Sequence, residues 1–264
     1  MMVTRVTAEG SSRRPDQLIV EEPMTIQLDG TIVSTTMRTP GNDFELATGF
    51  CFTEGLLAGV PVTGVRYCAP LAFGHGGGVS AMASEFNVVT VETGDRAPTP
   101  MPRLGTTPSS CGWCGNDQID ALTARLAPLP EGEPIPLDVL AAMPARVLSA
   151  QGLFDSTGAV HAAAAFDASG TVLVTREDVG RHNAVDKVVG TLLLAGSLPA
   201  AQPLGLFVSG RASIEMVQKA WAAGFRALVA VSAPTALAVE AARTANLTLV
   251  GFVRPDGFNV YSPA

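Results

Sequence analysis

Cys111 and Cys114 stand three positions apart in Ser109-Ser110-Cys111-Gly112-Trp113-Cys114-Gly115. Two thiols at that spacing can share a metal ion, close a redox disulfide, or hold one reactive thiolate beside a second sulfur. The approach to them, from Thr93 past Pro98, Pro100, Pro102, Gly105 and Pro108, contains four prolines and cannot continue as a helix or a central strand. A mobile arm over residues 98–116 is therefore expected to present the pair. Three further segments are chemically dense: Arg176 to Asn183, Ser209-Gly210-Arg211-Ala212-Ser213, and Ser232-Ala233-Pro234-Thr235. The first gathers two arginines, two acids, His182 and Asn183. The second offers free backbone N–H groups, a guanidinium and hydroxyls, a set suited to phosphate or pyrophosphate, although it lacks the length and the lysine of a P-loop and also reads as a serine helix cap.

The back half alternates strand and helix: strands Ala159 to Phe166 and Thr171 to Thr175, helix Arg181 to Leu194, strand Leu204 to Val208, helix Ala212 to Ala223, strand Ala227 to Val231, helix Thr235 to Thr244 and strand Thr248 to Phe252. That alternation predicts an α/β lobe with a mainly parallel sheet, whose ligands collect beyond the carboxyl ends of the strands. The three dense segments should converge there. On the helix at Arg181, His182 with Asp186 and Asn183 with Lys187 have i, i+4 spacing and are expected to pair.

The front is strand-rich, with candidates Gln17 to Glu22, Met24 to Leu28 and Thr31 to Arg38, a two-residue hairpin at Asp29-Gly30, and a later strand over Phe86 to Val91. A helix is expected after Asn42 as N-cap, burying Cys51 on its apolar side; Cys68 reads as a second packed thiol. His75-Gly76-Gly77-Gly78 reads as a flexible connection. The chain divides into a flexible arm 1–15, a smaller β-rich lobe 16–130 and an α/β lobe 131–264.

With 264 residues, 47% hydrophobic and 16% charged, the chain can bury a full core. The polar start, with Arg5, Arg13 and Arg14, lacks a secretion signal's apolar run, and no stretch is long enough to span a membrane, so a cytoplasmic protein is expected. Four cysteines in such a chain do not make a disulfide scaffold. A net charge of −7 argues against nucleic-acid binding while leaving room for a local basic site for one anionic ligand.

Arg176-Glu177-Asp178-Val179-Gly180-Arg181-His182-Asn183-Ala184-Val185-Asp186-Lys187 resembles the signature of the FdhD family, sulfur carriers that serve as formate dehydrogenase accessory proteins. The resemblance extends to Thr39 to Ala47, Ser110 to Gly115, Thr157 to Ala163, Ser209-Gly210-Arg211, Gly251 to Arg254 and Asn259-Val260-Tyr261, in the family's order. It implies a cytoplasmic, dimeric sulfurtransferase with a cytidine-deaminase-like C-terminal lobe. Such a protein accepts persulfide sulfur from a cysteine desulfurase and passes it to the molybdenum cofactor, bis-molybdopterin guanine dinucleotide, destined for formate dehydrogenase. By resemblance Cys111 carries the persulfide, and Cys114 receives the sulfur or resolves Cys111 as a disulfide. The cofactor-binding residues implied are Phe252, Val253, Arg254, Pro255, Asp256 and Gly257, with Ser209, Gly210, Arg211, Arg181, His182 and Asn183, and GDP is the implied analogue. In that segment Arg254 would hold phosphate and Asp256 would accept from guanine. Taken alone, the segment also reads as a polar hairpin before the last strand.

Other chemistries fit less well. A zinc deaminase needs His-x-Glu before its Cys-x-x-Cys, whereas here the order is reversed and Ala163 stands where the glutamate would be. His161 is then an orienting residue or a satisfied core histidine. Structural zinc lacks a second close ligand pair. A thiol-disulfide oxidoreductase places its pair at a helix start after a strand, not after a proline-rich stretch. A non-enzymatic cofactor-binding chaperone remains the alternative of a different class.

Overall fold

The computed structural model describes residues 1–68, 87–100, 120, 122 and 124–263. Cys111, Cys114, the His75 glycine run and the first residue of the expected strand Phe86 to Val91 lie outside them. Strands β1 (Met2–Thr7) and β2 (Gly10–Pro15) pair as an exposed antiparallel hairpin. A four-stranded sheet follows in the order β4-β3-β6-β5, built from β3 (Glu22–Leu28), β4 (Thr31–Arg38), β5 (Gly64–Tyr67) and β6 (Val88–Glu92). The β3–β4 turn forms at Asp29 and Gly30, whose φ values of 46° and 82° supply the left-handed pair that a two-residue hairpin requires. Of the expected strand Gln17 to Glu22 only Glu22 is in a ladder; the residues before it find no partner strand among the described residues.

Helix α1 (Asp43–Thr53) packs Leu46, Ala47 and Cys51 onto Met24, Ile26, Val89 and Val91 of this sheet. Burial, with Asp186 nearby, drives the Cys51 thiol far above its ordinary range, so it is inert packing. Asn42 precedes α1 as expected but does not cap it with its side chain. It takes a left-handed φ of 55°, and its amide donates to Glu45 at 3.0 Å.

The second sheet has six strands in the order β12-β11-β10-β9-β7-β8. Its elements are α2 (Leu137–Leu148), α3 (Gly152–Thr157), β7 (His161–Asp167), β8 (Val172–Asp178), α4 (Arg181–Leu194), β9 (Leu204–Val208), α5 (Ile214–Ala222), β10 (Ala227–Ala230), α6 (Ala236–Thr244), β11 (Thr248–Arg254) and β12 (Gly257–Ser262). Here the expectation of a mainly parallel sheet needs correction. Only β9, β10 and β11 run parallel; β7, β8 and β12 are antiparallel to their neighbours. The reason is connection length: the few residues between β7 and β8, and Pro255-Asp256 between β11 and β12, allow a hairpin but no crossover. Helices α4, α5 and α6 cover one face through Val185, Val188, Met216, Val217, Ala238 and Ala241. Helix α2 covers the other through Val139, Leu140, Met143 and Val147.

The two sheets meet where α1 lies on α4. A Cβ on Gly49 would fall on the carbonyl of Asp186, and one on Gly190 on the carbonyl of Glu45, so the helices touch backbone to backbone. Around this contact run three buried ionic groups. Arg38 grips Asp43 at 2.8 and 3.1 Å, and also reaches Glu22 and Asn87. Lys187 binds Asp178 at 2.7 Å and the carbonyl of Thr39 at 2.9 Å. Lys219 holds both oxygens of Asp186 at 2.9 Å, and Thr53 donates to the same carboxylate at 2.8 Å. Burial pushes the Asp186 carboxyl up, opposed by Lys219, while Asp186 and Glu54 keep the Lys219 ammonium above its ordinary value despite its own burial. The expected pairs His182–Asp186 and Asn183–Lys187 therefore do not form. Asp186 and Lys187 face the seam, where buried opposite charges outside their own helix take them.

Candidate functional site

The carboxyl ends of β9 and β10 lead into Ser209-Gly210-Arg211 and Ser232 to Thr235, and Phe252 lies beside them near the end of β11. Because β7 is antiparallel to β9 and β8 to β7, His161 and Asp178 reach the same edge: His161 is the register partner of Asp178, and Ala163 of Val208. The edge is knit by its backbone. Ser232 N donates to Gly210 O at 3.4 Å, Thr235 N to Ala212 O at 3.0 Å, and Phe252 N to Ser232 O at 3.2 Å. Three helices of nine or more residues begin here, α4, α5 and α6, each turning unpaired N–H groups and the positive end of its dipole to the edge. Only α6 is capped by a side chain: Thr235 accepts from Ala238 N at 3.2 Å. The Ser213 hydroxyl at the start of α5 makes no cap.

Gly210 lies against both Arg181 and His161; a Cβ there would sit 3.5 Å from Arg181 Cδ and from His161 Nδ1, ordinary contact distances. His161 Nδ1 is 3.5 Å from Ser209 Oγ, which accepts from Ala162 N at 3.0 Å. Burial, and then the Arg181 charge, depress the His161 imidazole below its ordinary value, so at neutral pH it is uncharged. His161 is thus half-buried at the edge rather than a core residue. At the edge Arg181 Nε is buried without a hydrogen-bond partner among the described residues. An unspent donor on a guanidinium beside open helix starts is what an anion-binding surface needs in order to hold phosphate.

Arg181, His182, Ser209, Gly210 and Arg211 are thus brought together, with Arg211 exposed. Asn183 is not. It is buried, its amide donates to Met37 O at 2.7 Å and to Asp178 at 2.9 Å, and it ties α4 to β4. Arg176, Glu177 and Asp178, read from sequence as part of a loop, are the end of β8. Glu177 caps α3 through Leu153 N and Phe154 N at 2.9 and 2.8 Å. In the C-terminal segment Phe252 has a left-handed φ of 55° and an exposed ring. Val253 is core, while Arg254, Pro255, Asp256 and Gly257 form an exposed hairpin turn.

One residue of the edge escaped the sequence reading. Glu215, in the first turn of α5, comes within 4.0 Å of His182 Nε2. His182, aided by Ser213, holds its carboxyl down at about 2, against the opposing effect of burial. The spacing from Ser213 marks only a helix start; nothing in it announces the meeting with His182 across two helices. Away from the edge, Cys68 is half-buried rather than packed, its sulfur 3.0 Å from both Arg66 and Thr90.

The chain matches the family model described as FdhD/NarQ family over residues 19–264. It is 47% identical to the sulfur carrier protein FdhD of Mycolicibacterium paratuberculosis, over 99% of this chain and 96% of that protein. It is 46% identical to the protein of the same name from Nocardia farcinica, over 99% and 92%. Among solved structures it resembles one from Desulfotalea psychrophila described as a formate dehydrogenase accessory protein, with a TM-score of 0.73 and 23% identity over 99% of this chain and 95% of that one, a likeness of fold. Among the described residues no helix is long and apolar enough to cross a membrane.

Proposed function

Since this chain belongs to the FdhD/NarQ family, we propose that it is a sulfurtransferase that carries sulfur as a cysteine persulfide from a cysteine desulfurase to the molybdenum cofactor of formate dehydrogenase. The Cys111 thiolate attacks the terminal sulfur of the donor persulfide. The donor's S–S bond breaks, its cysteine leaves as thiolate, and Cys111 keeps the sulfur. Cys111 then gives that sulfur to the cofactor: its S–S bond breaks, Cys111 returns as thiolate, and the neutral sulfur becomes a sulfide ligand with two electrons from the reduced metal of the cofactor; where Cys114 attacks Cys111 instead, sulfide leaves and a disulfide closes. The cofactor is substrate here. Its guanine nucleotide end is held at the carboxyl edge, with pyrophosphate on Ser209, Gly210, Arg211 and Arg181.

The observation that carries this reading is the unspent donor at the edge, Arg181 Nε without a partner among the described residues, beside three helix starts. The strand order and senses, a β7–β8 hairpin followed by three parallel strands with helices between them, support a cytidine-deaminase-like lobe. The protein acts in the cytoplasm as a homodimer. The test is persulfide labelling: after incubation with a desulfurase and cysteine, mass spectrometry finds the extra sulfur on Cys111, and Cys111→Ser abolishes it. Labelling confined to Cys68, or undiminished in Cys111→Ser, overturns the assignment.

A further inference from the structure

The hairpin of β1 and β2 forms a sheet of its own, in a ladder with neither of the larger sheets. An isolated two-stranded hairpin is marginal in water, and this one turns no apolar face to the body. Met2 is 51% and Val6 76% exposed, and from Thr4 to Glu21 every residue but Ile19 stands in solvent. The two outer edges of the hairpin differ. Strand β2 carries Arg13-Arg14-Pro15, charges and a proline that blunt an edge against pairing. Strand β1 reads Met2-Val3-Thr4-Arg5-Val6-Thr7, mostly β-branched, and its outer edge meets no other strand among the described residues.

Its counterpart is β4, the outermost strand of the four-stranded sheet, with Ile32 and Met37 exposed. Asn183 takes the carbonyl of Met37, but from Thr31 to Thr36 the outer side of β4 meets no strand among the described residues. Such an edge is a template for an added strand. Within one copy the hairpin leaves it open. Charge then points to the occupant: residues 2–15 hold three arginines against one glutamate, whereas the rest of the chain holds 14 basic and 23 acidic residues. A second copy of this chain offers the hairpin both an open edge and the opposite charge. We infer that β1 of one copy adds to β4 of a second copy, which returns the same contact, so that a two-fold dimer exchanges its hairpins and each contact builds a sheet in the order β2-β1-β4-β3-β6-β5. The six residues 16–21 reach about 20 Å when extended, enough to carry the hairpin off its own body. The inference rests on the homodimer reading given above and supplies its interface. The hairpin lies ahead of residue 19, where the family match begins.

Sedimentation equilibrium on the full chain and two variants tests it, with circular dichroism to confirm that each variant is folded. Deleting residues 2–16 removes the donor strand. Ile32→Lys with Thr35→Lys blunts the acceptor edge and repels the hairpin arginines. Each variant alone should raise the dimer dissociation constant about a hundredfold or more. Mixed in equal amounts, the two should associate more tightly than either alone, because one intact hairpin then meets one intact edge. If the deletion variant dimerises as the wild type does, the hairpin is not the interface and the inference falls while the homodimer reading stands. It falls too if the mixture associates no better than its components. If the wild-type protein is monomeric, the homodimer reading fails first and takes this inference with it; retention of that monomer, but not of the deletion variant, on phosphatidylglycerol vesicles would then assign the hairpin to an anionic membrane instead.

Discussion

The seam between α1 and α4 and the edge where α4 begins use the same chemical vocabulary, arginine or lysine with carboxylate, hydroxyl and amide, and use it to opposite ends. In the seam the buried lysines and aspartates are spent. Lys219 reaches Asp186, Thr53 and Glu54, and Asp178 takes Lys187, Asn183 and two backbone N–H groups. At the edge a few residues away, Arg181 Nε is left over, His161 is kept neutral, and Arg211 stands in solvent. A saturated network locks two lobes together, because removing any member strands a buried charge. An unsaturated one contributes little to the fold and leaves a donor open. Charged residues in one signature thus divide by what their neighbours have left unsatisfied.

That contrast can be broken at either end. The largest effect is expected in the seam: Lys219→Ala leaves Asp186 buried and unpaired and should cost about 3–5 kcal/mol of stability in urea unfolding, whereas replacing Asp186 and Lys219 together with apolar residues should recover most of it. A cost below about 1 kcal/mol for the single variant would show that the seam does not hold the lobes. Next comes the edge. Arg211→Ala should leave the unfolding midpoint in place yet weaken GDP binding by about 1.5–3 kcal/mol in calorimetry, the loss of one charge-assisted contact. The smallest effect is a pH dependence. The folded Glu215 carboxyl titrates at about 2 against an ordinary 4.5, so its stabilisation is fully present above 4.5 and is lost as pH falls toward 2. Solvent screening of this half-exposed side chain reduces it to roughly 1 kcal/mol. Comparing wild type with Glu215→Gln between pH 5 and pH 2.5 isolates it, as a slope present only in the wild-type protein.

The sequence carries the skeleton of this arrangement and hides its loyalties. Helix α4 and strand β9 begin and end where periodicity puts them, and the Asp29-Gly30 turn forms as its residues require, since these depend on local spacing and on φ. The convergence of Arg181, His182, Ser209, Gly210 and Arg211 follows from the rule that ligands meet at carboxyl ends. What local spacing cannot carry is the partner 30 or 150 residues away. Lys219 for Asp186, Met37 for Asn183 and His182 for Glu215 are decided only when the lobes close. Helix α2 was missed because Pro144 sits inside it, and proline in a helix interior reads as a break.

Helix α4 belongs to both regions at once. Its first residues face the edge, and from Asn183 to Gly190 it is buried against α1 and the sheet. A ligand that binds only the assembled edge therefore also holds the seam closed, by about 2.7 kcal/mol at a hundred times its dissociation constant. For a protein whose lobes part when it unfolds, a filled edge should therefore slow proteolysis of the whole chain, by up to about a hundredfold at that concentration.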